Sequence, residues 1–107
     1  MNERVKTFNA ADEDQVKTRK RKDERLRERE LNDLRLVMSS VEGRRFVWRL
    51  LEKAGVFRTS FTGNSTTFFN EGMRNMGLMV LGDVHEAAAE AYIVMMNESK
   101  EGEGSNG

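Results

Sequence analysis

Apolar positions are unevenly spread along the chain. Up to residue 30 the only apolar side chains are Met1, Val5, Phe8, Ala10, Ala11, Val16 and Leu26. So little apolar surface cannot offset the entropy of ordering the segment. Residues 1–30 are therefore expected to be partly disordered, or a solvated helical arm that needs a partner. From Leu31 onward apolar residues recur at i, i+3 and i+4, strict alternation is scarce, and no proline occurs anywhere. That pattern predicts helices. The first runs from Lys17 to about Met38, solvated at its start, with Leu26, Leu31, Leu34, Val37 and Met38 turning coreward near its end. Ser39-Ser40-Val41-Glu42 reads as a capping box, Ser39 accepting from the Glu42 amide and Glu42 reaching back. A second helix then spans Ser40 to Ala54, with Phe46, Val47, Leu50, Leu51 and Ala54 as its buried stripe and Trp48 off it. Gly55 stands where a left-handed residue closes a helix, and Val56 supplies the apolar contact after it.

Arg58 to Asn64 is a loop by composition. Asn64, Ser65, Thr66 and Thr67 are all suited to cap a third helix, which would turn Phe69, Met73, Met76, Met79, Val80 and Val84 inward. Gly72 and Gly77 fall inside it. Each costs about 1 kcal/mol relative to alanine, so either a neighbouring helix approaches closely there or the glycines are merely tolerated. Gly82-Asp83 is a candidate end for this helix, and Asp83 with Glu86 a candidate start for a fourth. One continuous helix past His85 is the alternative. The fold class predicted is all-α: a small bundle of three to four helices with a charged N-terminal helical arm. The arm occupies residues 1–30, the helical core 31–98, and a disordered acidic tail 99–107, where Glu101 to Gly107 reads EGEGSNG.

At 107 residues and 12.3 kDa this is one small domain. A core of about 70 residues buries only ~60% of its unfolded surface, which points to support from the arm, from homo-oligomerisation or from a larger assembly. The chain has no cysteine, which excludes disulfides, thiolate metal sites and cysteine nucleophiles. No apolar run approaches a membrane span, and the first twenty residues are polar, so neither a membrane partner nor a secretory signal is expected. The formal net charge of zero conceals a division. Residues 1–60 carry 16 basic and 11 acidic side chains, and residues 61–107 carry 2 basic and 7 acidic.

Little catalytic chemistry is visible. His85 is the one histidine, and the acids near it, Asp83, Glu86 and Glu90, are ordinary for a helix surface. No serine–histidine–acid set and no phosphate-binding glycine motif stands out, so neither enzymatic activity nor a cofactor or metal is expected. The run Lys17 to Arg29 holds eight basic and three acidic residues. Lys17, Arg19, Lys20, Arg21, Lys22 and Arg25 could neutralise phosphates. Against this, no aromatic residue lies among them for stacking, and the interleaved acids repel a phosphate backbone, so a solvated face or protein-docking arm is favoured. Phe57, Phe61, Phe68 and Phe69 gather on and beside the loop. Most are expected to close the core, and one or two to meet a partner.

The stretch Leu31–Met96 resembles a small family of tailed-phage proteins first described from a short-tailed Bordetella bacteriophage. The resemblance is carried by Gly43-Arg44-Arg45-Phe46-Val47-Trp48-Arg49-Leu50-Leu51, by Ala54-Gly55-Val56-Phe57, and by Ser60-Phe61-Thr62-Gly63-Asn64-Ser65. It continues through Phe68-Phe69-Asn70-Glu71-Gly72, Arg74-Asn75 and Gly77-Leu78-Met79. It implies a protein of a double-stranded DNA phage, encoded with the head and packaging genes, and supplies a setting without a mechanism.

Within that setting Arg44, Arg45 and Arg49 share a helix with Phe46 and Trp48, and arginine and tryptophan are common interface anchors. Glu71 is expected to pin the Phe61–Gly63 loop by pairing with Arg44, Arg45 or Arg74. The reading favoured is a non-enzymatic phage structural or assembly protein, in the virion or the host cytoplasm. It would dock on capsid or portal-vertex proteins through Arg44, Arg45, Trp48, Arg49, Phe57, Phe61, Glu71 and Arg74. The alternative is a nucleic-acid-binding protein that uses the basic arm during genome packaging. A third reading is an early protein that inhibits a host enzyme.

Overall fold

The structure is a computed structural model. It describes residues 2–106, with side chains described from Ala10 to Gly102. The described residues form three helices, α1 (Asn2–Met38), α2 (Val41–Ala54) and α3 (Thr66–Asn106), and contain no strand. The chain divides into two units, Met1–Glu30 and Leu31–Gly107.

In the first unit the helix starts well before Lys17, the start predicted from sequence. Every described side chain up to Glu30 is exposed except the half-buried Arg27. Thr18 donates to the Asp14 carbonyl at 2.9 Å, and Arg27 pairs with Glu30 at 3.4 Å. Local helix propensity, rather than burial, accounts for this segment. The side chains of Met1, Val5 and Phe8 lie outside the described residues.

In the second unit the core is Met38, Val47, Leu51, Val56, Val84 and Met95, with Trp48, Ala54 and Tyr92 among the half-buried residues packed around it. α1 ends as Ser39 Oγ donates to the Leu36 carbonyl at 2.6 Å. The cap of α2 is Ser40, one residue later than the predicted Ser39. Its hydroxyl accepts from the Gly43 amide at 3.0 Å. Gly43 lies directly against the Val37 carbonyl, so close that a Cβ there would collide with it. The C-terminus forms as predicted. Gly55 is left-handed (φ 78°, ψ 27°), its amide donates to the Glu52 carbonyl at 3.1 Å, and the Val56 amide reaches the Leu51 carbonyl at 3.3 Å. These two bonds satisfy carbonyls that would otherwise be orphaned.

The buried stripe of α2 is rotated from the predicted one. Val47 and Leu51 are buried, Phe46 and Leu50 are exposed, and Trp48 packs against the core. α2 and α3 pack on each other. They run antiparallel, since Arg44 near the start of α2 reaches Glu98 while Ala54 at its end meets Gly77. A Cβ at Gly77 would lie 2.5 Å from Val56 Cγ2 and 2.6 Å from Ala54 Cβ. Here a glycine permits close helix approach. Gly72 has nothing near its position.

The inward face predicted for α3 is largely overturned. Val84 is buried and Val80 half-buried, but Phe69, Met73, Met76 and Met79 are exposed. The covered row is Asn70, Arg74, Gly77, Leu81 and Val84, because the close approach at Gly77 sets which side faces α2.

α3 breaks not at Gly82-Asp83 but at Ala88, whose φ −154° and ψ 61° are non-helical. Beside the break, Arg35 Nε donates to the Ala87 carbonyl at 2.7 Å. A side chain that takes a helix carbonyl in this way is a recognised cause of a kink. The backbone stays helical to Asn106, through the stretch predicted as a structureless tail. Helix bonds are local, and no proline interrupts them. The side chains of residues 103–107 lie outside the described residues. Among the described residues no helix is long and apolar enough to cross a membrane.

Candidate protein-docking surface

The residues proposed from sequence divide into those committed to the fold and those left facing outward. Arg44 is committed. Its Nε donates to Glu98 Oε1 at 2.7 Å and one Nη to Glu98 Oε2 at 3.1 Å, a two-pronged pair, while the other Nη donates to the Met38 carbonyl at 2.9 Å. One guanidinium thus ties the last residue of α1, the first turns of α2 and the far segment of α3. Its hydrogen bond holds the Glu98 carboxyl below its ordinary range, with Arg45 adding a weaker pull, and Glu98 in turn raises Arg44. Planar, paired donors make arginine suited to this role.

Arg45, Arg49 and Phe46 face outward, and the Arg49 guanidinium stands 5.6 Å from the centre of the Phe46 ring. Trp48 stacks on Phe57 with ring centroids 5.2 Å apart and planes 28° from parallel. Trp48 is half-buried, whereas Phe57 is 47% exposed. Trp48, Arg49, Glu52, Lys53, Phe57 and Arg58 line an open surface hollow of about 480 Å³. α2 and the loop that follows it therefore present arginine and aromatic side chains together, Phe46, Trp48 and Arg49 from the helix and Phe57 from the loop.

The loop from Gly55 to Ser65 is tied mostly by its own polar groups. Asn64 Oδ1 accepts from the Thr66 amide at 2.9 Å and from the Thr62 hydroxyl at 3.0 Å, and the Thr62 amide donates to Thr67 Oγ1 at 3.0 Å. Glu71 helps hold the loop, but by accepting from the Ser60 hydroxyl rather than through the arginine pair predicted from sequence. Asn70 adds a bond to the Ser60 carbonyl at 3.4 Å. Arg74 is half-buried, and its Nε is buried without a hydrogen-bond partner. Phe61 is 73% exposed, so it does not close the core.

The basic residues Lys17, Arg19, Lys20, Arg21, Lys22 and Arg25 are all exposed in the first unit. His85 is exposed and meets the Tyr92 ring at 4.3 Å, 45° tilted. Among the described residues no group of three metal-capable side chains gathers.

Residues 34–97 match the family described as Bbp19-like phage protein. The chain belongs to the Bbp19-like phage proteins. The match takes in α2, the loop and most of α3, so the aromatic and arginine surface of this Bbp19-like chain lies wholly inside it, while the basic run of residues 17–29 lies outside. No curated protein and no solved structure matches the chain.

Sequence reasoning missed Arg35, Gly43 and Glu98. Arg35 and Glu98 act on groups more than fifty residues away in the chain, and no local spacing signals such a pair. Gly43 adjoins two serines and an acid that mark a helix start, and that local signal offered a clue to its tight position.

Proposed function

We propose that this Bbp19-like protein is a non-enzymatic phage structural or assembly protein that docks on other virion proteins. A capsid or portal-vertex protein is the preferred target, and the virion or host cytoplasm the place of action. The observation that carries this reading is the outward surface of α2 and the start of the loop after it, where Arg49 lies over Phe46 and the exposed Phe57 stacks on Trp48. Arginine and aromatic side chains are enriched among the anchors of protein interfaces, the rings for their large apolar area and arginine for its directional donors. Family membership supplies the phage setting.

The test is quantitative mass spectrometry of purified virions, counting this protein against the major capsid protein in wild-type phage and in phage carrying Arg45→Ala or Arg49→Ala. Trp48 packs against the core, so the exposed arginines make the cleaner variants. Docking predicts that the protein is present in wild-type particles at a fixed ratio and depleted in the variants, whose isolated domains keep their melting temperature. Variants incorporated at wild-type level would refute the α2 surface as the contact.

A second reading, nucleic-acid binding through residues 17–25, is favoured by one observation. All six of its basic residues are exposed. It predicts DNA binding that weakens steeply with salt and disappears when residues 1–30 are removed.

A further inference from the structure

From Phe68 to Gly82, α3 contains only two charged residues, Glu71 and Arg74, and apolar side chains or glycine occupy most of the helix circumference. A helix apolar all round is normally buried on all sides. Here α2 covers one side only. Phe68, Phe69, Met76 and Met79 are 81%, 67%, 62% and 57% exposed. Taking on the order of 200 Å² for each full side chain, those four alone leave roughly 500 Å² of apolar surface in water. That already matches the largest patch of an ordinary monomer, at about 300–600 Å². It is more than half of the ~800 Å² that each partner buries in a stable pair.

The spacing of this surface identifies what fits it. The exposed Phe69, Met73 and Met76 and, at the far end, Val80, half-buried where it packs against the core, form one line along α3 at intervals of four, three and four residues. This is the repeat of a helix–helix seam, and it reads the same in both directions. An antiparallel second copy, turned about a two-fold axis between Met73 and Met76, brings Phe69 opposite Val80 and Met73 opposite Met76. In that register Asp83 falls opposite Thr66, while Arg74 lies on the side covered by α2 and Glu71 lies off the line, so no like charges confront each other across it. A two-fold contact requires one patch complementary to itself, and a four-three-four line is complementary to itself by construction. We propose that this face of α3 pairs with the same face of a second copy of the chain, in antiparallel register about Met73 and Met76. The pairing is separate from the α2 docking surface, so either can fail without the other.

The full chain tests it in two ways. In sedimentation equilibrium, the wild-type protein is expected at twice its 12.3 kDa mass. Met76→Lys places an unpaired charge in the seam and should raise the dissociation constant on the order of a hundredfold or more, with helix content unchanged by circular dichroism. The chain has no cysteine of its own, so Met73→Cys and Met76→Cys can also be made singly and mixed under oxidising conditions. A disulfide-linked dimer is expected to form faster in the mixture than in either variant alone, because each thiol then faces its opposite number. A monomeric wild-type chain overturns the proposal, as does a dimer indifferent to Met76→Lys, or cross-linking no faster in the mixture. If Met76→Lys fails to fold, the cysteine mixture decides alone.

Discussion

The two sides of α3 contrast in the opposite sense to a simple hydrophobic count. The side against α2 presents Asn70, Arg74, Gly77, Leu81 and Val84, while the side away from it presents Phe69, Met73, Met76 and Met79. The covered side is therefore the poorer in apolar area. Close approach explains the difference. Gly77 lets Ala54 and Val56 come within contact of the α3 backbone, and dispersion at that distance rewards small residues that fit more than large ones that would be held off. What a helix buries within one chain is set by its neighbour's shape. What remains is available to other molecules.

The sharpest way to break this comparison is to truncate one residue on each side. Leu51 of α2 is fully buried at this contact. Leu51→Ala should cost about 2–5 kcal/mol in urea denaturation. Met76→Ala on the far side should cost less than ~1 kcal/mol at concentrations where the chain is monomeric. Equal losses at both positions would show that the far side is also covered within one copy.

The two glycines refine the comparison with a smaller effect. Alanine at either position gains about 1 kcal/mol of helix propensity. At Gly77 the added methyl meets Val56 and Ala54 at 2.5 and 2.6 Å, and overpacking of this kind costs typically 1–3 kcal/mol. Gly77→Ala should therefore lose up to about 2 kcal/mol, because Ala54 is fixed on its own helix and cannot swing aside. Gly72→Ala meets nothing and should gain up to ~1 kcal/mol in the same melt. Opposite signs for one substitution on one helix would locate the α2 contact directly.

The outcome for sequence reading follows the same division between local and distant causes. The Gly55 stop and its Val56 contact were legible because every group involved lies within six residues. The cap was misplaced by one residue. The capping box favours Ser39 with Glu42, but the close packing of Gly43 on Val37 draws the turn onto Ser40. Ser40→Ala should accordingly cost about 1 kcal/mol and Ser39→Ala less, measured by thermal melts. The break at Ala88 depends on Arg35 arriving from α1, and the fixed Arg44 depends on Glu98. Neither partner can be found from spacing. In the proposed docking surface, the sequence shows arginines and aromatics on one helix but not which of its arginines the fold consumes. Arg44 and Arg45 are adjacent and chemically identical, and only the geometry separates the bound one from the outward one.

The mildest test addresses that separation through pH. The Arg44 hydrogen bond lowers the Glu98 carboxyl from its ordinary value of 4.5. A carboxyl lowered in the folded state holds fewer protons than its unfolded counterpart, so it contributes stability above the unfolded value and loses it as pH falls through the folded one. The Arg44–Glu98 contribution should be complete at neutral pH and fade on acidification from about 4.5 downward. The side chains remain 15% and 31% exposed, so solvent and salt dampen the effect. Glu98→Gln should lower the melting temperature at pH 7 and flatten its decline below pH 4.5. Arg45→Gln should change that decline much less, since Arg45 acts on the carboxylate only through the field and makes no bond to it. If Arg45→Gln flattened the acid decline as fully as Glu98→Gln, the adjacent arginines would share one role, and the distinction between the residue that holds the fold and the residue that faces outward would fail.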